Sequence, residues 1–248
     1  MNVRRVLRIL GLLTLILAGA QLVPIVWSEL AGEAATTRAF AGSALLTAAL
    51  GALLVGVGRT EGELYRRDGV LIVVGAWALA SITGAVPYVW SGAIPSPVDA
   101  LFESASGFTT TGASVLVEIE AAGRGVLFWR SFTQWLGGIG IVVLFVALLS
   151  ELGPGARFLF KLEVPGPKAE ILHARVQQTA AALFRIYLAM SALQVAALAA
   201  CGLDLYDALT HTFSTVSTGG FSPYADSMGR LQYASREVVL VVLAVAGV

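Results

Sequence analysis

The chain has 248 residues, 57% of them hydrophobic and 13% charged, with a mean hydropathy of +0.81; a soluble domain carries about 25% charged residues, so the composition is that of an integral membrane protein. Sixteen basic and sixteen acidic residues cancel, leaving no bulk charge to attract nucleic acid. Cys201 stands alone, so no intramolecular disulfide is possible, and the two histidines, His173 and His211, are too few and too far apart for a zinc site, which needs several nitrogen or sulfur ligands.

A membrane helix needs about 20 mostly apolar residues. Five stretches meet this, at residues 6–27, 39–57, 69–90, 127–150 and 179–203. A sixth begins near Glu237 and runs apolar to Val248. It is too short to cross about 30 Å at 1.5 Å per residue, so the chain is expected to end inside a span, as part of a longer protein or a truncated reading frame. The first stretch also has the arginine-rich start, apolar centre and Ala18-Gly19-Ala20 of a cleaved leader. It is long for a leader, however, and the second span needs a partner to keep the topology consistent.

Loop Lys and Arg set the orientation. Arg4, Arg5 and Arg8, then Arg59, Arg66 and Arg67, then Arg157, Lys161, Lys168 and Arg175 all fall on one side. That side is read as cytoplasmic, with the N-terminus in it. Arg38, Arg124, Arg130, Arg230 and Arg236 fall on the other, mostly near span ends.

Between the third and fourth spans lies Phe108-Thr109-Thr110-Thr111-Gly112-Ala113-Ser114, and after the fifth lies Val216-Ser217-Thr218-Gly219-Gly220-Phe221-Ser222. Each follows an Asp-Ala-Leu start, at Asp99 and Asp207. Irregular backbone at membrane depth is tolerated only when buried in protein or lining a watery cavity. The segments before the loops, residues 99–108 and 207–216, are about 15 Å long as helices, half a bilayer. They must therefore enter and turn back. Pro95 and Pro97 suit the start of the first, and Asp99 and Asp207 suit the N-terminal ends. The helix C-termini would then point partial negative charge at the loops, which favours a cation.

Glycine lets neighbouring carbonyls face one axis, and carbonyls can replace an ion's hydration shell. Oxygen ligands suit hard cations. The two loops thus read as parts of an ion filter, whereas a lone Thr-Thr-Thr-Gly would be an ordinary turn. Pairing Gly112 with Gly219, 107 residues on, leaves the copies one residue out of step with the Asp-Ala-Leu starts, which are 108 apart. An internal repeat of this length means one structural unit used more than once. The layout is a two-span hairpin (1–62), a first pore-loop repeat (63–153), a cytoplasmic linker (154–178) and a second repeat, cut short (179–248).

These loops, together with Phe128-Trp129-Arg130-Ser131-Phe132-Thr133-Gln134-Trp135-Leu136-Gly137-Gly138-Ile139-Gly140, resemble the TrkH-type potassium uptake proteins of the Trk/Ktr/HKT superfamily. So do Glu163-Val164-Pro165-Gly166-Pro167, Arg175-Val176-Gln177-Gln178-Thr179-Ala180 and Tyr187. The resemblance covers nearly the whole chain, and the two extra N-terminal spans are similar to the Trk branch. It implies an all-α integral membrane protein in which two spans precede parallel span–pore helix–filter loop–span repeats. Four such repeats would surround a pseudo-fourfold pore, two of them in this chain. By position Thr109, Thr110, Thr111 and Gly112 would form one quarter of the filter and Ser217, Thr218, Gly219 and Gly220 another. Potassium would be held at Thr110, Thr111, Ser217 and Thr218.

The resemblance further implies potassium uptake across the cytoplasmic (inner) membrane, no cofactor beyond the transported ion, no enzyme activity, a homodimer in lipid and a cytosolic nucleotide-binding regulatory subunit. Sodium/potassium symport, or transport of another monovalent cation, stays open. The family's gating loop in the third repeat and pore-facing arginine in the fourth have no counterpart here.

Other residues carry two readings. Arg130 is taken first as snorkelling to the interface, with bracing of the filter through Glu103 or Asp99 as the alternative. Gly137, Gly138 and Gly140 would pack a span closely behind the filter or serve generic helix association. Arg185 is read as an anchor. His211 is read as a hydrogen-bonded structural histidine rather than a pH sensor, and residues 163–168 as a solvated linker or a regulator contact. A rival function, an intramembrane hydrolase, would use Ser104, Ser106 or Ser217 with His211 and Asp207; it needs nucleophile and base within hydrogen-bond reach. A carrier with broken helices is a second rival, but it usually shows an inverted repeat.

Overall fold

The computed structural model describes residues 2–58, 66–140 and 169–227. The linker motif at 163–167, the end of the fourth span and the segment beyond 227 lie outside the described residues. Among those described, the chain is helical: α1 (Val3–Ala20), α2 (Val23–Leu30), α3 (Ala34–Val57), α4 (Arg66–Ser91), α5 (Pro97–Phe108), α6 (124–140), α7 (Ala169–Ala200) and α8 (Leu205–Val216), with a 3-10 turn at Glu120–Ala122. Segments Val3–Leu30, Ala34–Val57, Arg67–Ser91 and Ala180–Ala200 are long and apolar enough to cross a membrane. Their outer faces are apolar, as at Ile16, Leu45 and Val74. These helices fit a multi-pass membrane protein.

The first span is broken where one continuous helix is expected. α1 ends at Ala20 and α2 starts at Val23, with a turn at Gln21–Leu22 and Pro24 in the opening turn of α2. Proline lacks the N–H that would continue the ladder. The break frees Gln21 to cross the bundle. Its amide donates to the Thr83 carbonyl of α4 at 3.0 Å, and its oxygen accepts from Ser43 and Thr47 of α3 at 3.0 and 3.2 Å. α1 and α3 also touch backbone to backbone at Gly11 and Gly51, where a side chain on either would meet the opposite helix; small residues allow this approach.

The N-terminal hairpin is fastened to α6 and α8. Both carboxylate oxygens of Glu33 accept from the first turn of α6, from Arg124 N at 2.6 Å and Gly125 N at 3.3 Å. These are among the four N–H groups every helix start leaves unpaired. Trp27 packs against Phe128 of α6 and edge-on against Tyr206 of α8, 5.1 Å between centroids for the second. α6 is buried on every side over residues 125–134 and threads an aromatic core of Phe40, Tyr88, Phe108, Trp129, Phe132 and Phe213.

Candidate functional site

α5 and α8 are each twelve residues long, about 18 Å at the helical rise, which is just over half a bilayer. The N-caps lie three residues ahead of the aspartates expected at these ends. Ser96 Oγ accepts from Asp99 N at 3.4 Å, and Asp204 Oδ1 accepts from Asp207 N at 2.8 Å. Both aspartates still sit in the first turn, where a carboxylate is favoured by the helix dipole.

The two C-terminal turns match atom for atom. Thr109 Oγ1 donates to the Ala105 carbonyl at 2.8 Å and Ser217 Oγ to that of Phe213 at 2.7 Å. Thr110 N bonds Gly107 O at 3.0 Å and Thr218 N bonds Thr215 O at 2.9 Å. Thr111 N bonds Ser106 O at 2.9 Å and Gly219 N bonds Ser214 O at 2.8 Å. Thr110 and Thr218 share a φ of 56°, and Gly112 and Gly220 have φ of 77° and 82°. The equivalence is therefore 108 residues throughout, as for the Asp-Ala-Leu starts. Gly112 corresponds to Gly220, and Gly219 corresponds to Thr111. The one-residue offset inferred from aligning Gly112 with Gly219 is absent from the backbone.

A positive φ on threonine is a strained state for a β-branched residue. It costs of order 1–3 kcal/mol and persists where the surroundings over-determine it, often at functional sites. Two such threonines at equivalent positions form a repeated device. Among the described residues, no hydrogen bond is accepted by the main-chain carbonyls of residues 109–112 or 217–220. Eight carbonyl oxygens are thus left for another partner. The loops touch: a Cβ on Gly112 would overlap the Gly219 carbonyl oxygen.

Behind them stands α6. Arg130, 1% exposed, does not snorkel. Its Nε donates to Glu103 Oε1 at 2.7 Å, its Nη2 to Ser114 Oγ at 3.0 Å and its Nη1 to the Ser222 carbonyl at 3.2 Å, while its guanidinium lies 4.2 Å from the centre of the Phe221 ring. Glu103 also accepts from Ser114 Oγ at 3.0 Å and Val115 N at 2.9 Å. One buried cation thus ties the chain leaving the first loop to the chain leaving the second. Of the two braces weighed for Arg130, Glu103 is the partner. One turn further, Gln134 accepts from Phe221 N at 3.1 Å. A Cβ at Gly137 would overlap the Phe108 carbonyl, and one at Gly138 would crowd Tyr187 and Ser217, so these two glycines bring α6 against both half-length helices. Among the described residues, a Cβ at Gly140 would meet only Trp77, at 3.7 Å.

Among the described residues no hydrogen bond joins His211 to a serine. Its Nε2 and the hydroxyls of Ser104 and Ser106 have no partner, and Ser217 bonds back to Phe213. Asp207 accepts from Tyr224 Oη at 2.7 Å. Arg185 is exposed on α7. No cluster of His, Cys, Asp or Glu suited to a metal ion occurs among the described residues.

The family model described as TrkH, cation transport protein, matches residues 35–248. The chain belongs to the TrkH family. The Trk system potassium uptake protein TrkH of Halomonas elongata is 41% identical over 242 residues, 96% of this chain and 50% of that protein. The TrkH protein of Escherichia coli K12 is 39% identical over 239 residues, 92% of this chain and 48% of its own length. The crystal structure of the potassium transporter TrkH from Vibrio parahaemolyticus superposes with a TM-score of 0.82 at 34% identity, covering 98% of this chain and 49% of that one. The chain spans about half the length of the curated relatives it matches.

In this TrkH-family chain, sequence reasoning missed three participants: Gln134, Phe221 and the Glu33 cap. A signal for the first was present. Arg130, Thr133, Gln134 and Gly137 recur at i, i+3, i+4 and i+7 on a helix whose other residues, Arg124 and Ser131 apart, are apolar or glycine, which is one helical face.

Proposed function

We propose that this chain supplies two quarters of a potassium-selective filter and acts in potassium uptake across the cytoplasmic membrane, the other quarters coming from sequence past Val248. The observation that carries the reading is the matched pair of loops, each at the C-terminal end of a half-length helix, with eight carbonyls that accept no hydrogen bond among the described residues and so can replace an ion's hydration shell. The filter residues are Thr109, Thr110, Thr111 and Gly112 with Ser217, Thr218, Gly219 and Gly220, and the glycines that open the backbone are Gly112 and Gly220. The relatives are named potassium uptake proteins, which favours potassium over sodium as the preferred ion.

The layout of a two-span hairpin followed by two pore-loop repeats, a cytoplasmic N-terminus, a homodimer and a cytosolic nucleotide-binding regulator belong to the same proposal; the loop Lys and Arg support the orientation. A hydrolase is disfavoured, because the family is one of cation transport proteins. The test is rubidium tracer uptake into proteoliposomes, with potassium and sodium as competitors, for this chain and for a version continued past Val248. Uptake only by the longer version, with potassium competing best, is the expected result. Uptake by the 248-residue chain alone overturns the single-chain four-quarter pore.

A further inference from the structure

Gln134 lies where the two loops meet. It is fully buried, and its Oε1 accepts from Phe221 N at 3.1 Å. That bond also settles the amide orientation, because only the oxygen can accept from an N–H. Nε2 is buried with no hydrogen-bond partner. A Cβ at Gly219 would fall onto the Gln134 side chain, whose carboxamide atoms are the three nearest to it, and a Cβ at Gly112 would stand 3.8 Å from Nε2. The carboxamide therefore packs against the second loop and stands close to the first, on the side that faces α6, next to the contact between Gly112 and the Gly219 carbonyl. A buried donor left unpaired is costly, and each such group in a folded protein calls for an explanation. A side chain held only for packing would be better apolar at this site.

We infer that Gln134 is a positioning residue that sets the spacing between the first and second filter loops, and through it the preference for potassium over sodium. This inference rests on the pore reading above. Oε1 tethers the chain just after Gly220 to α6 and so resists its movement away from α6, toward the pore axis, while the amide body is a spacer that keeps the Gly219 backbone from moving toward α6. Loops that can shift inward can close around a smaller ion, so a fixed spacing disfavours sodium.

The experiment uses the transporter continued past Val248, reconstituted in proteoliposomes, and reads the ratio of potassium to sodium competition against rubidium. A general loss of folding lowers flux and leaves this ratio unchanged. Gln134→Met keeps the volume and removes both polar atoms. It is expected to lower the ratio about five-fold, the scale of one hydrogen bond. Gly219 has an ordinary φ, and the atoms nearest a Cβ there all belong to Gln134, so Gly219→Ala acts first on Gln134. It is expected to depress flux, with Gln134→Ser in the same chain restoring it and leaving the ratio low.

If wild-type protein shows no rubidium uptake competed by potassium, the pore reading itself fails. If wild type is selective and Gln134→Met matches its ratio at equal membrane abundance, the positioning role is overturned. If Gln134→Met does not insert, the Gly219 pair decides, and equal loss with and without Gln134→Ser overturns the proposal.

Discussion

Arg130 and Glu103 form an ion pair 2.7 Å long with both side chains almost wholly buried. The pair joins α6 to α5, and its remaining donors reach Ser114 and Ser222, which lie two residues beyond Gly112 and Gly220. Breaking a buried pair on one side leaves an unmatched charge and costs roughly 3–5 kcal/mol. Arg130→Met is accordingly expected to lower thermal stability in detergent by about that amount. Arg130→Met with Glu103→Leu is expected to recover stability, since apolar replacement of a buried pair is often neutral, but not rubidium uptake. Recovery of uptake in the double variant would show that the pair is structural only.

Gly112 and Gly220 are equivalent in backbone but not in surroundings. A Cβ at Gly112 would overlap the Gly219 carbonyl, whereas one at Gly220 would find nothing within 4 Å. Gly220→Ala should therefore carry only the left-handed backbone penalty, about 1–2 kcal/mol. Gly112→Ala or Gly112→Ser should also push the loops apart and weaken discrimination against sodium. Competition of rubidium uptake by sodium, compared across the three variants, checks the ranking. Unchanged potassium preference in Gly112→Ser would sink the filter assignment.

Glu33 caps a helix that begins 91 residues later. Removing a side-chain acceptor from a helix start costs typically about 1 kcal/mol. Glu33→Ala should speed amide hydrogen exchange at Arg124 and Gly125 several-fold while leaving the α5 amides unchanged. Equal protection in variant and wild type would mean that the hairpin does not hold α6.

Gly137 and Gly140 share a span but differ in consequence. Gly137→Ala would place a methyl against the Phe108 carbonyl, where backbone must move; Gly140→Ala meets Trp77 at ordinary contact distance, 3.7 Å. Overpacking of this kind costs typically about 1–3 kcal/mol. Lower melting temperature and lost uptake are expected for Gly137→Ala, and near wild-type behaviour for Gly140→Ala. Parity between the two would contradict close packing of α6 on the end of α5.

Much of this was legible from local pattern. Apolar runs marked the spans because lipid admits only segments whose backbone is paired internally. The half-length helices and their polar loops stood out because each breaks that rule within apolar sequence. The Asp-Ala-Leu starts already carried the true 108-residue register. The misalignment at the loops came from matching glycine to glycine by identity, when the shared constraint is a positive φ two residues after a positive-φ threonine.

The amino-acid sequence by itself determined a helical membrane protein with two hydroxyl- and glycine-rich loops, each after a half-length helix, because hydropathy, helix capping and glycine's backbone freedom act over a few residues. Only the tertiary structure decided what Arg130, Gln134 and Glu33 do. Their partners lie between 16 and 92 residues away. The desolvation that makes a buried charge or amide pair with one group rather than face water exists only once the helices are packed.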